Sequence, residues 1–70
     1  MATVDPEERL AALRITRLDD LASRLRYLGD DLHAEGLRDE AGQLHDIARV
    51  VEGRARVARS CLAHELAEHA

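Results

Sequence analysis

The chain has 70 residues, of which 46% are hydrophobic and 34% are charged, and its formal net charge at pH 7 is −4. The acidic balance argues against broad affinity for nucleic acids or anionic membranes, and the single cysteine excludes an internal disulfide and fits a reducing compartment. No apolar run reaches the about 20 residues that cross a bilayer, and the start of the chain lacks a signal-peptide pattern. We therefore expect one domain, residues 1–70, in the cytoplasm.

The first predicted helix spans about residues 6–34. Asp5 can cap it, Pro6 suits its first position, and the glutamates that follow complement the positive end of the helix dipole. Along this helix, residues at alternating steps of three and four lie on one face and form a heptad seam. The predicted seam is Ala11, Arg14, Leu18, Leu21, Leu25, Leu28 and Leu32. Only its arginine departs from an apolar pattern.

A turn is predicted at about residues 35–37. Gly36 stands where a helix commonly ends in a left-handed residue, and Leu37 follows it, as in a Schellman ending. Because the connection is so short, the next helix should run antiparallel to the first.

The second predicted helix spans about residues 38–68 and carries two apolar rows. The first row alternates large and small residues: Leu37, Ala41, Leu44, Ala48, Val51, Ala55, Ala58 and Leu62. The second row, beside it, is Ile47, Val50, Val57 and Cys61. The apolar arc is wider than one neighbouring helix covers. Gly42 and Gly53 leave open whether this helix is continuous, since glycine disfavours a helix interior.

These features predict an all-α protein, an antiparallel two-helix hairpin that dimerises into a four-helix bundle. A chain of this size buries only a thin core, and a wide exposed apolar arc is rare on a soluble monomer. A second copy would cover that arc. The predicted oligomer interface is Leu18, Leu21, Leu25, Leu28, Leu44, Ile47, Val50, Val51, Val57, Cys61 and Leu62.

Two groups of residues could carry binding chemistry. Near the end of the chain, Cys61, His64, Glu68 and His69 are metal-type ligands, some spaced three or four apart on one helix face, although their spacing matches no known metal motif. The arginines Arg17, Arg24, Arg49, Arg56 and Arg59 form a possible partner surface, and phosphate contacts need such groups. The simpler interpretation of both groups is a solvated surface with local ion pairs, so we expect no bound metal and no cofactor.

The sequence contains no catalytic triad, phosphate loop or pair of isolated carboxylates, so we do not expect an enzyme. In length, hairpin layout and alternation of seam residues, the chain resembles the RNA-binding repressor-of-primer proteins of plasmids, which are dimeric four-helix bundles. It also resembles in outline the small helical-hairpin co-chaperones of bacterial type III secretion. All ten basic residues are arginine, which is typical of a GC-rich bacterial genome.

The sequence thus favours a bacterial protein–protein interaction module of the adaptor, regulator or co-chaperone type, whose partners are a second copy of itself and another protein. One alternative is a regulator that binds nucleic acid through the arginines of the first helix, Arg17 and Arg24 among them. A second alternative is a bundle that binds a metal through its C-terminal histidine, glutamate and cysteine residues. A membrane partner is not expected.

Overall fold

The computed structural model describes residues 5–68, which form two helices packed against each other in a hairpin. Helix α1 spans Pro6–Ala34 and helix α2 spans Arg38–Glu68. The hairpin is elongated, with a long dimension of 54 Å. Between residues 5 and 68, neither helix offers a stretch long and apolar enough to cross a membrane.

The start of α1 is fixed by local capping. The Asp5 side chain accepts a hydrogen bond of 3.1 Å from the backbone N–H of Glu7, and Pro6 occupies the first turn. Glu7 and Glu8 place negative charge at the positive end of the helix dipole. These residues explain why the helix begins at this point.

The chain reverses through a Schellman motif. Gly36 adopts a φ of +85°, a left-handed conformation that favours glycine because it has no Cβ. The N–H of Leu37 donates to the carbonyl of Leu32 at 2.9 Å, and the N–H of Gly36 donates to the carbonyl of His33 at 3.0 Å. This pair of bonds defines the motif and satisfies the last carbonyls of α1.

Small side chains line the contact between the two helices. The buried residues recur every seven positions, as in a heptad seam. They are Ile15, Ala22 and Gly29 on α1 and Ala41, Ala48 and Ala55 on α2. Because five of these six residues are alanine or glycine, the side chains of the seam leave room for a close approach of the two helices.

Four residues of the predicted seam of α1, Ala11, Leu18, Leu25 and Leu32, are half-buried, and the other three lie one position away from the buried residues. Arg14, Leu21 and Leu28 are exposed, and the positions that follow each of them hold the buried residues. The alanines of α2 leave no room for leucine on the line of closest approach, so the two leucines lie on the side of the hairpin. The predicted row of α2 is correct at its three buried alanines.

Helix α2 is continuous through Gly42 and Gly53, which settles the question that the sequence left open. A Cβ built at either glycine has no neighbour within 4 Å. Neither glycine is therefore needed for packing between the helices.

Gly29 differs from these two glycines because the His45 imidazole lies directly against it. A Cβ at Gly29 would lie 2.5 Å from His45 Cδ2 and 3.3 Å from the carbonyl oxygen of Ala41. The same imidazole lies with its Nε2 3.1 Å from Oδ1 of Asp30. The absence of a side chain at position 29 therefore makes room for a contact between the helices.

Replacing Gly29 with alanine should expel His45, whereas Gly42→Ala should be stabilising. Alanine gains roughly 1 kcal/mol over glycine in an open helix interior, but at position 29 that gain is offset by the lost contact. We expect the free energy of unfolding of Gly29→Ala to be at least about 1 kcal/mol below that of Gly42→Ala, measured by denaturant titration at one protein concentration. In a His45→Ala background this difference should largely disappear. Equal stabilisation by the two alanines in the native background would contradict the contact.

Candidate interaction surfaces

One side of the hairpin carries three polar contacts between the helices, and we call it the polar flank. Asp30 contacts His45 at 3.1 Å, Arg26 Nε donates to Glu52 Oε1 at 2.9 Å, and Arg59 forms an ion pair with Asp19. The polar flank is defined by Asp19, Arg26, Asp30, His45, Glu52 and Arg59. Exposed ion pairs of this kind each contribute at most about 1 kcal/mol. Because each contact joins a residue of α1 to a residue of α2, the three contacts identify one edge along which the helices meet.

A shallow groove of about 290 Å³ lies beside the polar flank. Its lining consists of Arg26, Arg49, Glu52, Gly53 and Arg56. Gly53 contributes no side chain, and the Glu52 carboxylate is already bonded to Arg26. The groove is therefore a charged surface recess, unlike the mostly apolar clefts that hold small molecules.

The opposite side of the hairpin is apolar and open. Leu21, Leu28 and Ile47 are 43%, 54% and 49% exposed. They border a row of half-buried residues that faces the same side. We call this surface the apolar flank: Leu18, Leu21, Leu25, Leu28, Leu32, Leu44, Ile47 and Val51. Its residues lie on both helices, on the side away from the polar flank.

Other residues of the predicted interface border this surface. Val50 and Val57, 57% and 63% exposed, lie further round α2 and away from α1. Cys61 is exposed near the open end of the hairpin, and Leu62 continues the alanine row there, half-buried. Interface roles for these four residues therefore remain predictions, since each keeps exposed surface available to a partner.

The five predicted partner arginines do not converge. Arg17 and Arg24 lie on the outer side of α1, next to the apolar flank, whereas Arg49 and Arg56 lie on α2 at the groove. Several are also paired with carboxylates: Arg24 with Asp20 at 3.1 Å, Arg49 with Asp46 at 3.6 Å, and Arg59 with Asp19. A single basic surface for nucleic acid is therefore not formed by one hairpin.

The candidate metal ligands form one pair. His64 Nε2 lies 3.0 Å from Glu68 Oε1, and both side chains are mostly exposed. In the part of the chain that the structure describes, no three His, Cys, Asp or Glu side chains gather closely enough to hold a metal ion. His69 lies outside the described residues.

Sequence reasoning missed the pairing of Arg26 with Glu52 and of Asp30 with His45. The sequence signal for the first pair is the position of each residue relative to the seam. Arg26 lies four residues after Ala22, and Glu52 lies four residues after Ala48, so both lie on the same side of the hairpin. That signal appears only once the true seam is known.

Comparison of the chain with protein-family models, with curated proteins and with solved structures gives no match.

Proposed function

We propose that this chain is a non-enzymatic protein–protein interaction module that works as a homodimer of helical hairpins. The observation that carries the proposal is the apolar flank, where large side chains of two adjacent helices stay exposed along one surface. Soluble monomers rarely expose a contiguous apolar surface of this kind. Burying it against a second copy forms a four-helix bundle.

The half-buried row of the apolar flank supports this arrangement. Leu18, Leu25 and Leu44 each keep part of their surface open after the hairpin has formed. In a four-helix bundle these positions turn toward the centre, where side chains from all four helices meet. A second hairpin would complete the core that the first one begins.

The polar flank remains available to another protein in this dimer, because it faces away from the apolar flank. Its groove offers guanidinium groups of Arg49 and Arg56 beside the Arg26–Glu52 pair. Arginine is enriched at protein interfaces because it combines apolar, planar and charged contacts. In this scheme the dimer presents one groove on each outer face, as an adaptor, regulator or co-chaperone would.

The native mass in solution tests the self-association. Light scattering coupled to size exclusion, from micromolar to millimolar chain concentration, should give about twice the chain mass of 7.8 kDa. The mass should stay near that of two chains on dilution through this range. A mass of one chain throughout this range would overturn the homodimer and leave the apolar flank to a different protein.

A further inference from the structure

We infer that the second copy packs on the apolar flank with its turn at the opposite end of the bundle. This arrangement rests on the proposed homodimer and specifies it. Two hairpins that share this flank have two symmetric choices, with their turns at the same end or at opposite ends. The charges at the ends of the flank distinguish between them.

The side chains aimed most directly at a partner form one row on each helix. The first row is Arg14, Leu21 and Leu28 on α1 with Glu35 at the C-cap of that helix, and the second row is Glu40, Ile47 and Arg54 on α2. Members of a row are seven residues apart, so they share a face, and all seven are exposed. Each row, over these residues, has apolar residues in its middle, a basic residue toward the open end and an acidic residue toward the turn. The same spacing continues to Glu7 on α1 and to Cys61 and Glu68 on α2. With the two-fold axis given below, these three residues lie beyond the ends of the matching helices of the second copy.

With the turns at opposite ends, each helix packs against its own copy in antiparallel fashion. A two-fold axis that passes between Leu21 and Leu28 pairs each of them with the other in the second copy. The same axis pairs Arg14 with Glu35 of the second copy, so the α1 row is complementary to itself.

The α2 row has the same property about Ile47. Ile47 meets its own copy, and Glu40 pairs with Arg54 of the second copy. A single axis must serve both helices, and the structure satisfies this condition. Gly29 lies between the levels of Ala41 and His45, so a point midway between Leu21 and Leu28 lies level with about residue 47 at 1.5 Å per residue.

With the turns at the same end, α1 would instead pack against α2 of the second copy. Glu35 would then lie beside Glu40, and Arg14 would lie toward Arg54. Like charges placed together across an interface disfavour that arrangement. The charges of the two rows therefore favour the dimer with turns at opposite ends.

Charge reversal at Glu40 and Arg54 tests the pairing. We expect Glu40→Arg alone and Arg54→Glu alone to weaken homodimerisation by at least about tenfold, since each places two like-charged contacts in the dimer. An equimolar mixture of the two variants should form a heterodimer, in which both contacts are again of opposite charge. Asp46→Arg, the same change in charge outside the apolar flank, is the control and should dimerise as the native chain does. Stronger dimerisation of Glu40→Arg would overturn the arrangement, because that result requires Glu40 to face an acidic residue.

The native Cys61 gives an independent test without altering the flank. It is exposed and lies 14 residues beyond Ile47, so a spin label can be attached there. With turns at opposite ends, the two labels lie about 42 Å apart along the bundle. With turns at the same end, they lie on diagonal helices, roughly 15 to 20 Å apart.

A distance near 42 Å in a sample of dimeric mass supports the inference. A short distance in a sample of dimeric mass overturns the arrangement and leaves the homodimer standing. A monomeric mass overturns both. The distance and the mass together therefore separate a failure of the inference from a failure of the proposed function.

Discussion

The double substitution Leu21→Glu and Leu28→Glu is expected to convert the homodimer to a monomer. Both side chains are about half exposed in the hairpin and lie at the centre of the apolar flank. A dimer contains four such leucines, and burying a leucine contributes about 1.5–3 kcal/mol. Because each leucine is already about half buried in the hairpin, the four together should lose about 3–6 kcal/mol. Since each 1.4 kcal/mol is a factor of ten, the dimer dissociation constant should rise by at least about 100-fold. Light scattering at micromolar chain concentration measures this directly.

The matched control for that experiment is Tyr27→Glu. Tyr27 precedes Leu28 on the same helix, is 72% exposed and points away from the apolar flank. Its large side chain is exposed to water. Replacing Tyr27 with glutamate therefore tests whether an added charge on α1 is by itself enough to change the native mass in solution. Tyr27→Glu should remain dimeric. A dimeric Leu21→Glu and Leu28→Glu variant would show that self-association uses another surface.

Replacing Ala48 with leucine is the second change with a large expected effect. Ala48 has no solvent-accessible surface and is the middle one of the three buried alanines of α2. Added methylenes at a closely packed site cost typically about 1–3 kcal/mol. A single core in a chain of this size rarely supplies more than about 3–5 kcal/mol. We expect the thermal midpoint of Ala48→Leu, followed by circular dichroism, to fall by at least about 5 °C.

Ala63→Leu is the control for this prediction. Ala63 is exposed on the same helix, so leucine there meets water instead of α1. Its thermal midpoint should stay within a few degrees of that of the native chain, because surface substitutions usually change stability by less than about 0.5 kcal/mol. If the thermal midpoints of Ala48→Leu and Ala63→Leu are equal, the seam tolerates a large residue, and small side chains are not required between the two helices.

The two helices and the turn could be predicted from local signals. Asp5 and Pro6 determine a helix start through capping and a preset backbone angle. Gly36 followed by Leu37 determines a reversal through a left-handed residue. These signals act over a few residues, so one sequence contains all the information needed to find them.

The side of α1 that packs on α2 could not be predicted in the same way. Two adjacent rows compete for the seam: one reads Arg14, Leu21 and Leu28, and the other holds Ile15 and the small residues Ala22 and Gly29. Hydrophobicity alone favours the row with the leucines. The choice depends on the alanines of α2, which demand small partners, and therefore on both helices together.

The polar flank and the charge order of the apolar flank could not be predicted for the same reason. When the buried row of α1 moves by one residue, the whole helix is rotated about its axis, so all its side chains change position relative to α2. Arg26 then borders Glu52, and Leu21 and Leu28 become surface residues. The candidate surfaces thus follow from the seam, which the pattern of one helix does not determine.

The polar contacts between the helices also give the hairpin an order of assembly. Asp30 and His45 are 15 residues apart, Arg26 and Glu52 are 26 apart, and Asp19 and Arg59 are 40 apart. Because the entropy of closing a loop grows with the logarithm of its length, forming the outermost contact first would cost about 0.9 kcal/mol more than forming the innermost. Once the inner contact has formed, each later one closes a much shorter loop. We therefore expect folding to proceed from Gly36 outward, with the rapid kinetics that are typical of local contacts.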